Sequence, residues 1–269
     1  MNESPRWIGV GRTEIGYMRS SNQDAFASLN ERGFWIVADG MGGHPGGDLA
    51  AQIAVEVSTQ KAETYPNIPG RVHADPGQLL TECITAANQA IHEKAREDPS
   101  LKGMGTTVVA MAIVATPRPV AYIAHLGDSR AYHYDQTSLT QVTQDHTLLS
   151  MLLERGLIDK ATALAYPDRH VLAKGLGLSV NMIPDVTSIS LNDKDLLLLC
   201  SDGLTKMLED HDIASILFRA GGDPHRACHE LIEEALHRGG EDNVTVIVCA
   251  HATGKTPMSL GIDKTPPAM

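Results

Sequence analysis

Aromatic residues are scarce in this chain: Trp, Tyr and Phe make up 4% of its 269 residues. That is too few for a base-stacking nucleotide platform, and it leaves the core to Ala, Val, Ile, Leu and Met. No apolar run approaches the ~20 residues of a membrane span; the longest obvious one, Leu196–Cys200, has the length of a strand. Basic residues are in deficit, with 22 Lys and Arg against 33 Asp and Glu, a net charge of −11. Such a surface repels nucleic acid and anionic membranes alike, so neither is expected as a partner. The first residues, Met1-Asn2-Glu3-Ser4-Pro5-Arg6, lack a basic end followed by an apolar stretch, so no signal peptide is expected. There are four cysteines, Cys83, Cys200, Cys228 and Cys249, with no CxxC pair, each among apolar neighbours. They read as buried free thiols in a reducing cytoplasm. What is present is a globular composition: 42% of the residues are apolar, which excludes wholesale disorder.

The apolar pattern changes period along the chain. Short runs bounded by Gly, Asn and Asp predict strands over 7–13, 25–29 and 34–38. Leu49, Ile53 and Val57 start a helical stripe near Gly47, and Leu79/Leu80, Cys83/Ile84, Ala87 and Ala90/Ile91 mark a second one. Strands return over 106–115, 120–126, 131–134 and 138–142. A polar stretch, 144–177, follows with two short helices, 147–155 and 160–165, the latter with Asp159 as N-cap. Strands over 185–191 and 195–200, helices over 210–218 and 224–237, and a last strand over 244–250 complete the order. Asp223 and Pro224 are a favoured N-cap and first-turn pair. This order lacks the strict strand–helix alternation of a doubly wound parallel sheet. It predicts an α+β fold: two packed antiparallel sheets, a β-sandwich, flanked on each side by helices. One domain is expected over 1–253, followed by a Pro-containing flexible tail, 254–269. The strand order within each sheet does not follow from the sequence.

Carboxylates recur where apolar strands meet glycine. The run 34–38 leads into Asp39-Gly40, 122–126 into Gly127-Asp128, and 197–201 into Asp202-Gly203; Gly239-Gly240-Glu241 leads to Asp242 before the last strand. A single Asp-Gly is an ordinary turn. Four such edges brought together would form an acidic cluster that cannot stay fully ionised without a counter-charge. Oxygen ligands favour Mg2+ or Mn2+ over zinc, and Gly40 can offer its carbonyl oxygen at close approach. Arg19, in the link between the first two strands, is a candidate for a forked phosphate contact. His225 and His229 have helical i, i+4 spacing, and the reading adopted for them is solvent-facing side chains; Cys200 reads as a core residue rather than a nucleophile.

In order, these motifs are Gly16-x-x-Arg19-x-x-Asn22-Gln23-Asp24, Asp39-Gly40-Met41-Gly42-Gly43-His44, Gly103-Met104-Gly105-Thr106-Thr107, Gly127-Asp128-Ser129-Arg130, Leu139-Thr140 through Asp145-His146, Ser201-Asp202-Gly203-Leu204 and Asp242-Asn243-Val244-Thr245. Together they resemble the bacterial-type protein phosphatase 2C family of metal-dependent serine/threonine phosphatases, over roughly 7–251. The resemblance implies a β-sandwich with helix pairs and two Mn2+ or Mg2+ ions, with a third in some members. It implies that Asp39 bridges the two ions, Gly40 ligates one through its carbonyl, and Asp202 and Asp242 hold the other. Asp128, with Asp202, would hold the third. Asp24 and Gln23 would stand behind the ligands, Arg19 would bind the substrate phosphate, and 145–177 would form a flap beside the site. The implied reaction is attack of a metal-bridging hydroxide on phosphoserine or phosphothreonine of a phosphorylated protein, opposing a serine/threonine kinase. The implied protein is cytoplasmic and monomeric.

Three positions depart from the family pattern. Gln23 stands where many relatives have Glu, which removes a negative charge near the second metal. Met41 stands where a proton-donating His is found in eukaryotic relatives, and Met has no proton to give; His44 is the candidate general acid in its place. Lys174-Gly175-Leu176-Gly177 replaces an Arg-Ala-Leu-Gly form. Two alternatives stand beside the main reading: a catalytically weak regulatory pseudophosphatase, against which the complete aspartate set weighs, and a small-molecule phosphoesterase.

Overall fold

The computed structural model describes residues 7–41, 46–64, 75–114, 118–159 and 171–252. Among the described residues, ten strands form two antiparallel sheets. One has the order β1 (Trp7–Glu14), β10 (Val244–His251), β9 (Leu196–Cys200), β6 (Arg130–Tyr134), β7 (Leu139–Gln141). The other has the order β2 (Asp24–Leu29), β3 (Phe34–Asp39), β4 (Val108–Val114), β5 (Val120–Leu126), β8 (Asp185–Ser190). The order joins strands far apart in the chain: β1 pairs β10, with Trp7 opposite His251. It depends on contacts that local patterning does not encode.

Both faces of the central strands are covered, which is why they read as unbroken apolar runs. In β3, Trp35 and Val37 face the other sheet, while Phe34, Ile36 and Ala38 face the helices α1 (Gly47–Thr64) and α2 (Pro76–Glu97). In β9, Leu197 and Leu199 enter the sandwich, while Leu196, Leu198 and Cys200 face α5 (Asp210–Ala220) and α6 (Pro224–His237). Few aromatics serve here, and Trp35 sits at the centre: it is fully buried and its indole donates to Asn30 Oδ1 at 2.9 Å. Gly9 makes room for that ring; a Cβ at this position would overlap the indole nitrogen.

The helix ends follow the sequence signals. Asp75 caps α2 by accepting from Gly77 N, and Asp223 caps α6 by accepting from His225 N and Arg226 N. Two further helices lie near one end of the sandwich: α3 (Leu148–Glu154), begun by Thr147, and α4 (Asp202–Thr205), a single turn absent from the sequence reading. The expected helix over 160–165 and the tail 254–269 lie outside the described residues. All four cysteines are buried and none is in a disulfide. His225 and His229 are exposed on α6, as read from the sequence. Among the described residues, no helix is long and apolar enough to cross a membrane.

Candidate active site

The strand register brings the acidic edges to one end of the sandwich. β2 begins at Asp24 and β3 ends at Asp39, and these two residues are direct cross-strand partners. The ends of β5 and β9 deliver Asp128 and Asp202; the start of β10 delivers Asp242. Asp39, Asp128, Asp202 and Asp242 line one cavity of about 560 Å3 together with Arg19, Gln23, Gly40 and Met41. Thus every sequence-predicted site residue that the structure describes converges here, except that Asp24 lies buried just behind the wall. His44 lies outside the described residues.

Asp39 is held through its backbone and Asp24 through its carboxylate. The backbone of Asp39 is fixed by the threonine pair before β4: Asp39 N donates to Thr107 Oγ1 at 3.1 Å, Thr107 N donates to Asp39 O at 2.9 Å and Thr106 Oγ1 donates to the same oxygen at 2.8 Å. Asp24 Oδ2 accepts from Ser201 Oγ at 2.8 Å and from Thr245 Oγ1 at 2.6 Å, so the hydroxyls of two β-strand ends aim it. Its other oxygen, Oδ1, is buried without a partner. Asn243 ties the β1–β2 link to this wall: Gln23 N donates to its Oδ1, while its Nδ2 donates to Ile15 O and Ser21 O.

The charges are strongly coupled. Burial pushes Asp24 up to about 7, and the charges of Asp202 and Asp242 add to it. Burial and then Asp24, Asp202, Asp128 and Asp242 hold Asp39 well above its ordinary value. Asp128 rises to about 7 through burial, Asp202 and Asp145. Two cations oppose this. Arg19 forks onto Asp242, with Nε 2.8 Å from Oδ1 and Nη2 2.9 Å from Oδ2. Lys206 Nζ lies 2.6 Å from Asp202 Oδ2 and 2.7 Å from Asp242 Oδ2. Burial raises Asp242, but Lys206, Asn243 N–H and Arg19 more than offset it and leave it below the ordinary carboxylate range.

This donor set fits a hard divalent cation. The ligating atoms on offer are carboxylate and carbonyl oxygens. Asp202 Oδ1 and Asp24 Oδ1 are buried with no hydrogen-bond partner, and such orphaned acceptors are costly unless a cation or water meets them. At Gly40 a Cβ would overlap the carbonyl of Gly47, so only glycine lets the backbone lie this close. Among the described residues, no three of these side chains already close on a common point; Asp202 and Asp242 turn onto Lys206 instead.

Of the expected flap, 145–177, the described residues are 145–159 and 171–177. Its two ends are anchored to the site: Arg130 forks onto Asp145 at 2.7 and 2.9 Å, and Leu176 exchanges backbone hydrogen bonds with Thr106. Val171, Leu172 and Leu178 add an apolar side to the cavity.

A family model described as protein phosphatase 2C matches residues 16–238. The chain belongs to this family. A serine/threonine phosphatase, stp, of Listeria welshimeri is 36% identical over 88% of the chain and 93% of its own length. The crystal structure of the Mycobacterium tuberculosis serine/threonine phosphatase PstP/Ppp superimposes with a TM-score of 0.78 at 32% identity, covering 91% of this chain and 98% of that one. The catalytic domain of a serine threonine protein phosphatase PstP, in complex with 2 manganese ions, matches with a TM-score of 0.75 at 29% identity, over 92% and 99% of the two chains. The fold and the enzyme class of this 2C phosphatase, a serine/threonine protein phosphatase, agree with the reading of its motifs.

Three functional groups escaped the sequence reading. Lys206 had a signal, since it lies four residues after Asp202, the spacing of a helical ion pair. Asn243 and Thr245 stand inside a motif that was noted for its aspartate alone. Cys200, by contrast, is confirmed as core: fully buried, its thiol is pushed up to about 12 by that burial.

Proposed function

We propose that this chain hydrolyses phosphoserine and phosphothreonine in proteins with two divalent ions, Mn2+ or Mg2+, and room for a third. Asp39, the Gly40 carbonyl, Asp202 and Asp242 would hold the pair, and Asp128 with Asp202 the third. When bound, such ions neutralise the carboxylates, polarise phosphoryl oxygens and bring the pKa of water towards neutrality.

The chain's own groups do the rest. Arg19 stands at the exposed side of the cavity with a planar fork suited to two phosphoryl oxygens. Asp24 is fixed by Ser201 and Thr245, and its free Oδ1 is the acceptor that orients a water proton in the wall. Thr106 and Thr107 keep Asp39 in place through its own backbone. Met41 offers no proton to the departing seryl or threonyl oxygen; His44 is the candidate for that task. The apolar side made by Val171, Leu172 and Leu178 receives the polypeptide around the phosphorylated residue. The substrates are phosphoproteins, products of a serine/threonine kinase acting in the same bacterial cytoplasm.

The observation that carries this reading is the convergence of Asp39, Asp128, Asp202 and Asp242, from four strand ends, on one cavity that also holds Arg19. The test is phosphate release from a phosphothreonine peptide with EDTA, Mg2+ or Mn2+, beside Asp39→Asn and Asp202→Asn. Metal-dependent turnover lost in both variants is expected. A folded protein that releases no phosphate with either metal overturns the proposal in favour of a binding role.

A further inference from the structure

We infer that Lys206 is a built-in competitor for the divalent cation at the Asp202–Asp242 edge of the site, displaced into the cavity when the metal binds. The inference rests on the metal-dependent reading above and adds a residue that sets how tightly the metal is held.

The geometry is that of a bridge. Asp202 follows β9 and Asp242 precedes β10, and the ammonium of Lys206 touches one carboxylate oxygen of each, at 2.6 and 2.7 Å. It thus spans two carboxylates from different chain segments, as a divalent ion would. The contact is built into α4: Lys206 follows that helical turn, and its N–H donates to Asp202 O at 2.8 Å. The backbone therefore keeps the amine within reach of Asp202 whether or not the ion pair is made.

The same oxygens cannot serve the ammonium and a metal in one direction. Asp242 is doubly engaged, since Arg19 forks onto it as well. Metal entry must break the Lys206 contacts, and the side chain is free to leave. It is 30% exposed, it borders the cavity, and its four-carbon stem moves without any shift of backbone. The displaced ammonium then stands beside Arg19 on the side from which a phosphate dianion enters. Metal binding is thereby coupled to the delivery of a second positive charge to the substrate.

The test is calorimetric titration of the metal-free full chain with Mn2+, for the wild type, Lys206→Met and Lys206→Arg. Lys206→Met is expected to bind Mn2+ roughly tenfold more tightly, the order expected when two partly exposed ion pairs need no longer be broken. Lys206→Arg, which keeps the cation, stays nearer the wild type. A second measurement needs no variant: acylation of lysine amines, read by peptide mass spectrometry with and without Mn2+. Lys206 should become several-fold more reactive when Mn2+ is present, with Lys94 on α2 as the unchanged reference. Equal or weaker Mn2+ binding by Lys206→Met, or unchanged Lys206 labelling while Mn2+ binds, overturns the inference. A wild type that takes up no Mn2+ at all removes the metal reading itself.

Discussion

Asp24 and Asp39 stand directly opposite each other across β2 and β3, two acids in the position where a sheet ordinarily places a favourable pair. Like charges in direct register destabilise a sheet. The fold accepts this because both residues serve the cavity end of the sandwich. The sign of the resulting pH effect follows from linkage. Asp39 is held well above its ordinary 3.8 by burial and by its acidic neighbours. A carboxyl whose folded pKa is raised contributes stability below its unfolded pKa and loses it as pH rises through the folded one. In EDTA, Asp39→Asn should therefore melt higher than the wild type near neutral pH, by a few degrees at about 2–4 °C per kcal/mol. The gap should close near pH 4. With Mn2+ the order should reverse, because the wild type gains ligand stabilisation that the variant has lost. Thermal melts across pH, with and without Mn2+, check this; an Asp39→Asn that is less stable at neutral pH in EDTA would show that the charge repulsion is not felt.

A second pH effect has the opposite sign and a different place. His125 and His146 stack with centroids 4.4 Å apart and planes 9° from parallel. His125 Nε2 pairs with Gln144 O, and its Nδ1 is buried without a partner. His146 Nδ1 faces Gly127 N–H, which leaves Nε2 to donate to Asp185. A second proton on either ring finds no acceptor, and a charge on both would set two cations face to face. Burial in particular lowers both from 6.5. Neutral rings contribute stability above 6.5 that is lost as pH falls through the lowered values. Imidazole nitrogen NMR should show both rings titrating with midpoints below 6.5. A midpoint at or above 6.5 for both would contradict the stacking argument.

Asp24 owes its aim to two hydroxyls. Thr245 Oγ1 donates to it at 2.6 Å and accepts from Thr13 across the β1–β10 pair at 2.7 Å. Thr245→Val keeps the shape and β-branching of the side chain and removes the donor. Losing one hydrogen bond to a buried charged group costs about 1.5–3 kcal/mol. The expected result is a melting temperature lower by several degrees and a kcat reduced about 10–100-fold, the range typical of partners that orient a metal site from behind. KM should change little, since Thr245 does not border the cavity. A variant with unchanged kcat would mean that Asp24 keeps its orientation through Ser201 alone.

The readable and unreadable parts of this protein divide along physical lines. Strands such as Phe34–Asp39 and Leu196–Cys200 were legible because burial on both faces makes them continuously apolar. Asp39, Asp128 and Asp202 were legible because each sits beside glycine at the end of such a strand, and Asp242 because it follows a Gly-Gly pair just before one. The pairing of β1 with β10 was not, because no local pattern reports which distant strand completes a sheet. α4 was missed because a helix of one turn has no period to detect. Lys206 is hidden for a related reason: its i, i+4 spacing names Asp202 alone, and the cation joins Asp202 to Asp242 only where their chain segments meet in the fold.

The chemistry and the hold on the polypeptide are separable at the apolar side of the cavity. Val171 is 49% exposed and Leu178 46%, yet both border the cavity that Arg19 and the aspartates also line. Exposed apolar side chains at a cavity mouth gain by being covered, and each partly covered one is worth on the order of 1 kcal/mol. Leu178→Ser removes that gain without adding a charge that any incoming phosphate would feel. For a phosphothreonine peptide, KM should rise about fivefold to tenfold with kcat within about twofold. For p-nitrophenyl phosphate, which has no flanking chain, both constants should change far less. Equal losses on the two substrates would place Leu178 in the support of the metal site, and no loss on either would remove the flap side of the cavity from substrate recognition.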